Sequence, residues 1–324
     1  MIAAARPTPF RGLARLFASQ EAVLLLALVA LFAVVGSVNP RFLAERNLET
    51  IFLGNAYVAV AAIGMSMVIV SGNIDVAVGS LIGVLAVLSG SLAVAGWPIW
   101  LSWLVPVLAG MAIEGFIGFL VAWLNIPSIV VTLGFLSILK GGLIMATGGA
   151  WISNLPPGYA LAQMAPLGIA MPIWFMVVLT ALAAWWMRNS GLGRSVYAVG
   201  GNAEAARLAG IDRRAVILRV FLIHGAFAGI ASVLFATQLS VIQSTVPPNL
   251  ELTIITASVV GGVSILGGTG TVIGSTLAAV LLAAIASSLV FLNVSPYWIR
   301  AVQGVLILAT VLADLWRRSR QALR

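Results

Sequence analysis

What most constrains this chain is a succession of ten apolar runs, near 21–38, 50–71, 74–95, 99–124, 128–147, 166–187, 216–238, 251–266, 271–292 and 297–315. A helix needs about 20 apolar residues to cross the hydrocarbon of a bilayer; the run at 251–266 is short for that task. Hydrophobic residues make up 61% of the 324 and charged residues 8%, whereas an ordinary soluble domain carries roughly 25% charged residues. No aqueous core hides that excess. The expected fold is an all-α integral membrane protein of about ten transmembrane helices.

Orientation follows from the basic residues. Arg6, Arg11 and Arg15 precede the first run, and Arg317, Arg318, Arg320 and Arg324 follow the last. Arg188, Arg194, Arg207, Arg213, Arg214 and Arg219 gather between the sixth run and the start of the seventh. Positive residues stay on the cytoplasmic side, and an even number of spans places all three groups there. The expected arrangement is one transmembrane domain over 1–324, with a cytoplasmic N-terminal segment at 1–20, a cytoplasmic loop at 188–215, a cytoplasmic tail at 316–324 and both termini inside. Arg41 and Arg46 then fall outside, partly balanced by Glu45 and Glu49. The net charge of +8 needs no nucleic acid, because anionic lipid headgroups at the membrane edge account for it. The N-terminus mimics a signal peptide but lacks a small-x-small cleavage site, so a retained first helix is expected. The absence of cysteine excludes disulfides, thiolate metal sites and thiol nucleophiles.

Two external loops are expected, at 148–165 and 239–250, each with paired prolines. With the short turns at 96–98 and 293–296 they form either a docking rim or plain interfacial loops. A weak internal echo aligns Gly72 with Gly267, Gly79 with Gly274 and Ser80 with Ser275. Each stretch is a glycine-rich break before a helix start, as in transporters with broken helices beside the substrate path.

Six ionisable side chains fall within or at the edges of the runs: Asp75, Glu114, Lys140, His224, Glu251 and Arg300. A charge inside a membrane faces protein or a water-filled path. Asp75 either lines such a path or caps the helix through Gly79 and Ser80. Glu114, among Gly110, Gly115 and Gly118, either serves a pathway or pairs with a neighbour. Lys140 snorkels outward, and Glu251 and Arg300 are expected near the outer interface. His224, the sole histidine, reads as hydrogen-bonded packing, and no metal is expected. A phosphate-binding loop needs G-x-x-x-x-G-K-[ST]. Lys140, the only lysine, follows Leu139 and precedes Gly141, so that loop is absent. No catalytic set argues for an enzyme.

The polar stretch Gly191 to Arg214 is the chain's one sizeable basic loop. Within it Asn202 is placed to cap a short helix over 203–209 that Gly210 stops. Such a helix is either a mechanical lever or an interfacial helix without a partner.

Four blocks now stand in order: SGNIDVAVGS at 71–80, NIPSIVVTLGFLSILKGG at 125–142, GRSVYAVGGNAEAARLAGI at 193–211 and VVGGVSILGGTGTVIGS at 259–275. Through them the chain resembles the membrane permeases of the ribose-type branch of bacterial ATP-binding-cassette sugar importers, from about Asn47 to Trp316. The tail leans toward the rhamnose or autoinducer-2 branch. The resemblance implies a multi-pass protein of the bacterial inner membrane that pairs with a second permease, a cytoplasmic ATPase and an external sugar-binding protein. ATP and Mg would sit on the ATPase, with no cofactor in this chain. It implies that the third block is a cytoplasmic coupling helix, carried by Gly193, Arg194, Gly200, Gly201, Asn202, Ala205, Ala206, Arg207 and Gly210. Asn73, Asp75, Asn125 and Thr132 are the candidates for the substrate path. Asn73, Thr253, Ser287 and Ser288 depart from the commonest family pattern, which weakens inference from ribose. The cargo expected is a monosaccharide or small polyol. The alternative is an ion-coupled secondary transporter or channel in which Asp75 or Glu114 carries protons.

Overall fold

The computed structural model describes residues 19–295 and 297–322. Arg6, Arg11, Arg15, Pro296 and Arg324 lie outside the described residues, as do the side chains of Arg317, Arg318 and Arg320. Among these described residues twelve α-helices run in chain order: α1 Gln20–Val38, α2 Glu45–Val70, α3 Val78–Val94, α4 Ile99–Trp123, α5 Ser128–Thr147, α6 Met171–Asn189, α7 Gly191–Gly201, α8 Ala203–Leu208, α9 Arg213–Ala236, α10 Leu250–Val260, α11 Val272–Phe291 and α12 Trp298–Ala322. Among the described residues the only β pairing is an isolated bridge, between Ile152 and Ile242.

Each expected apolar run holds one helix. Among the described residues seven helices are long and apolar enough to span a membrane: α1, α2, α4, α5, α6, α9 and α11. Three shorter apolar helices accompany them: α3, α10 and the 298–312 part of α12. Three runs overshoot their helices, and the one at 166–187 starts five residues before α6, across a 3-10 turn at Pro166–Gly168. The run at 74–95 starts four residues early, because Gly72 at φ +82° turns the chain out of α2 and residues 71–77 are not helical. The run at 251–266 continues past Val260, where Gly262 at φ +95° ends α10. Hydropathy registers apolar side chains but not the left-handed backbone that glycine permits. At about 1.5 Å per residue, the 11 residues of α10 cover roughly 16 Å, half the hydrocarbon thickness.

α2 is the hub of the bundle, buried along most of its length and packed on α6, α9, α10 and α11. The most extensive helix pair is α4 with α9, and small residues make it close. A Cβ on Gly110 would lie 2.5 Å from the Gly225 carbonyl oxygen, one on Gly115 2.7 Å from Leu222, and one on Gly118 2.7 Å from Phe221. Helix association in lipid relies on such backbone approach rather than on hydrophobic burial. In contrast, α1, α5 and α12 turn many large apolar side chains outward, among them Val29, Ile138 and Leu308, as helices in contact with lipid do.

The segment before α10 enters the bundle instead of staying on its surface. Ile242 packs over Gly90 of α3, Val246 and Pro247 over Gly83, and Glu251 over Gly79. These glycines share one face of α3, so the chain from 242 to 251 descends beside that helix almost to its first residue. Glu251 therefore stands deep in the bundle, partly exposed, and not at the outer interface expected for it. Its depth comes from the path of the preceding loop, which hydropathy does not encode.

Candidate functional site

The segment expected to couple, at 191–208, consists of two helices, of which only the second is legible as a helix in the sequence. Ser190 caps α7, its Oγ accepting the Gly193 amide at 2.8 Å. Gly193 lies against the Met187 backbone so closely that no side chain fits, which fixes the bend between α6 and α7. Val196 and Val199 are buried, and the Tyr197 hydroxyl donates to the Gly270 carbonyl at 2.9 Å. Burial pushes that hydroxyl above the usual tyrosine range. Arg194 is exposed, donates to the Asn189 carbonyl at 3.1 Å, and borders a cleft of about 900 Å³ with Arg188, Tyr197 and Glu21.

Asn202 caps α8 as its sequence position requires, its Oδ1 accepting the Ala205 amide at 2.9 Å. Gly210 ends the turn at φ +80°. Ala206 is buried, while Gly201, Asn202, Ala205 and Arg207 are exposed. Arg207 holds Glu204 through contacts of 2.5 and 3.1 Å. That bond keeps the Glu204 carboxyl below its ordinary range in an exposed pair, a kind of contact that contributes little to stability. Leu208, 77% exposed, completes an outward-facing ridge with one large apolar side chain at its end.

The inner end of α7 reaches the two glycine breaks. Gly200 lies directly on the Val70 carbonyl, with no room for a side chain. The Gly268 amide donates to that same carbonyl at 2.8 Å. A Cβ on Gly267 would come within 3.0 Å of the Gly72 Cα, and one on Gly268 within 2.5 Å of the Gly201 Cα. The breaks at 72 and 267–268, aligned in sequence through Gly72 and Gly267, meet in space with Gly200 and Gly201 beside them.

Asn73 and Asn125 border one cleft of about 420 Å³, with Gly72, Ser128 and Arg213 also on its wall. Asn73 donates to the Ser71 hydroxyl at 3.0 Å, and Asn125 adopts φ +54° ahead of Pro127. The other two path candidates are elsewhere. Thr132 is fully buried on α5, 3.4 Å from the Ile129 carbonyl. Asp75 is fully buried as well. Its Oδ1 accepts the Ala77 amide at 2.7 Å, so it holds the start of α3, while Oδ2 lies 3.0 Å from Nε2 of His224. Glu114 completes the group: one polar atom from each of Asp75, Glu114 and His224 lies within 4.8 Å of the others. No constellation around His224 is visible in the sequence. Its partners come from a helix break and from α4, distant in the chain, and the one available signal is a lone histidine in an apolar helix.

On the opposite face the two proline-bearing loops join. Ile152 and Ile242 exchange two backbone hydrogen bonds of 2.9 Å each, and the Ser244 hydroxyl donates to the Ala150 carbonyl. Tyr159 is buried beneath them, its hydroxyl 2.8 Å from Ser89 Oγ. Ser287 and Asn47 tie α11 to α2 at 2.7 Å.

With this geometry in place, comparison with known proteins is informative. Residues 47–311 match the family described as branched-chain amino acid transport system / permease component. The chain is similar to the autoinducer 2 import system permease protein LsrC of Salmonella typhi, with 38% identity over 297 residues, 91% of this chain and 86% of the relative. It is similar also to the protein of that name from Escherichia coli O9:H4 (strain HS), with 37% identity over 299 residues, 91% of this chain and 87% of the relative. No solved structure matches it significantly.

Proposed function

The chain belongs to the branched-chain amino acid transport system / permease component family, and on that premise we propose that it imports a monosaccharide or related small polyol as the permease subunit of an ATP-binding-cassette importer. It is a multi-pass membrane protein and a translocation subunit, not an enzyme. Relatives named as permeases of an import system favour this reading over an ion-coupled carrier. The autoinducer-2 name they carry makes a small polyhydroxylated molecule the preferred cargo.

In this reading the ATPase supplies ATP hydrolysis and grips α8 from the cytoplasm. The observation that carries it is the contact of Gly200 and Gly201 with both helix breaks. A push or pull on α8 passes through α7 to Val70 and Gly268 without an intervening flexible side chain. The exposed ridge of Ala205, Arg207 and Leu208 suits a protein groove: small residues permit close approach, and the leucine supplies an apolar anchor. The cleft at Asn73 and Asn125, beside the first break, is the proposed inner end of the path. The joined loops at 152 and 242 are the proposed seat of an external binding protein. A second permease, the same chain or a related one, completes the translocation unit, and both termini lie in the cytoplasm.

Purification of the tagged chain from native membranes, with mass spectrometry of its companions, tests this. A stoichiometric ATPase with a P-loop is expected, together with any second permease. Recovery of the chain without an ATPase in several mild detergents, with uptake abolished by an uncoupler while ATP persists, would replace the importer reading with the ion-coupled one.

A further inference from the structure

Asp75, Glu114 and His224 occupy the interior of the bundle with no exposed surface. They come from three elements: the 71–77 break, α4 and α9. Both carboxylate oxygens of Asp75 are engaged, one by the Ala77 amide at 2.7 Å and one by Nε2 of His224 at 3.0 Å. Neither oxygen of Glu114 meets a hydrogen-bond partner, and neither does Nδ1 of His224. Gly64 of α2 makes room for the ring: a Cβ there would lie 2.6 Å from Nδ1.

The charge count is decisive. Two ionised carboxylates beside one imidazole would leave at least one uncompensated negative charge inside the bundle, and the desolvation penalty of such a charge is large. Like charges at this separation also oppose joint ionisation. Other cations are not placed to help. α3 and α4 carry no further titratable side chain. On α9 the nearest is Arg219, which is exposed. On the other surrounding helices Glu45, Arg46, Glu49 and Lys140 are exposed and Tyr57, Tyr197 and Glu251 half-buried, and among the described residues none forms an ion pair with the trio.

We propose that Asp75, Glu114 and His224 form a buried proton site. Glu114 is a neutral acid, Asp75 a carboxylate and His224 an imidazolium, so that the trio carries no net charge and pins the 71–77 break to α4 and α9. The neutral acid turns Glu114 from an orphaned acceptor into a donor able to face Asp75. Oδ2 accepts the Nε2–H that either the imidazolium or one neutral tautomer carries; the full negative charge of Asp75, buried without another cation, is what calls for the imidazolium. The proton is held, not conducted, because none of the three side chains reaches either surface. The site matters for motion because Gly72, in the same break, lies against Gly267 and the end of α7. Any rearrangement that carries the break away from α9 must separate Asp75 from His224.

Because His224 is the only histidine, ring-nitrogen NMR of the histidine-labelled chain within its purified complex reads this site alone. Imidazolium resonances are expected from the resting complex at neutral pH. E114Q, which keeps a neutral donor, is expected to retain those resonances and at least half of the parent's yield and uptake. D75N is expected to convert the ring to its neutral form. A neutral ring in the parent chain would overturn the proposal. So would collapse of E114Q, since an ionised Glu114 would then be required. A stoichiometric divalent metal in complex purified without chelator would also overturn it, since both carboxylates would have to be ionised. These outcomes are independent of which ATPase or cargo the complex carries.

Discussion

The Gly268 amide donates a 2.8 Å hydrogen bond to the Val70 carbonyl, and Gly200 rests on the same oxygen. One backbone atom thus joins the end of α2, the break after α10 and the end of α7. Three parts of the chain meet there through main chain alone, which makes the joint stiff and intolerant of any added side chain.

Gly200→Ala and Gly201→Ala should therefore differ sharply. Alanine is favoured over glycine in a helix by about 1 kcal/mol, so neither change is harmful by propensity. At 200 the methyl collides with the Val70 carbonyl, whereas at 201 its nearest neighbour is 3.8 Å away. Uptake in cells should fall at least ten-fold for Gly200→Ala and stay within two-fold for Gly201→Ala, with both chains present in the membrane. Equal behaviour of the two would remove the joint from the mechanism.

Asn202→Ala deletes the acceptor for the Ala205 amide and should weaken α8 locally by about 1 kcal/mol, while Asn202→Asp restores the cap. Arg207→Glu reverses the ridge charge and sets two acidic side chains three residues apart. Co-purification of the ATPase should drop several-fold for Asn202→Ala, drop further for Arg207→Glu, and recover for Asn202→Asp. Expression and membrane insertion should be unchanged, because the cap is exposed and lies outside the core.

The α4–α9 seam gives a stability prediction. Gly225→Ala pushes a methyl into the Gly110 carbonyl, whereas a methyl added at Gly134 on α5 would meet nothing within 4 Å. Overpacking of this kind costs roughly 1–3 kcal/mol. Thermal unfolding in detergent should show a lowered midpoint for Gly225→Ala and no such loss for Gly134→Ala. A seam that tolerates alanine would mean that the two backbones are not in contact.

Because the chain has no cysteine, the outer rim can be tested by a single engineered pair. Residues that exchange both backbone bonds across an antiparallel pair have Cα atoms about 5.5 Å apart, within disulfide reach. Ile152→Cys with Ile242→Cys should therefore form a disulfide on mild oxidation, seen by mass spectrometry of the linked peptides. In the assembled importer, this bond should leave basal ATPase activity intact, and it should leave stimulation by the binding protein intact if the rim docks as one rigid surface. Failure of the pair to oxidise would separate the two loops and with them the proposed seat.

The importance of Asn202 and Gly210 is legible in the sequence because capping is local: a side chain and a φ angle within a few residues specify it. The ten apolar segments, seven of them long enough to span among the described residues, are legible because burying an apolar run in lipid requires only length and composition. Where the helices stop is less so. Val260 ends α10 and Gly72 follows the end of α2 through positive-φ glycines inside apolar stretches, and hydropathy passes over both.

Read alone, the amino-acid order establishes that the chain crosses a membrane repeatedly and carries one sizeable basic segment between apolar runs, since bilayer thickness and charge bias act on each segment separately. It does not reveal that Gly72, Gly200 and Gly268 share one joint, that Glu251 descends beside Gly79, or that Asp75 and Glu114 surround the lone histidine. Those relations are tertiary and depend on which helices pack together. Packing in a membrane is set by backbone approach and buried charge between distant parts of the chain, so no local pattern records them.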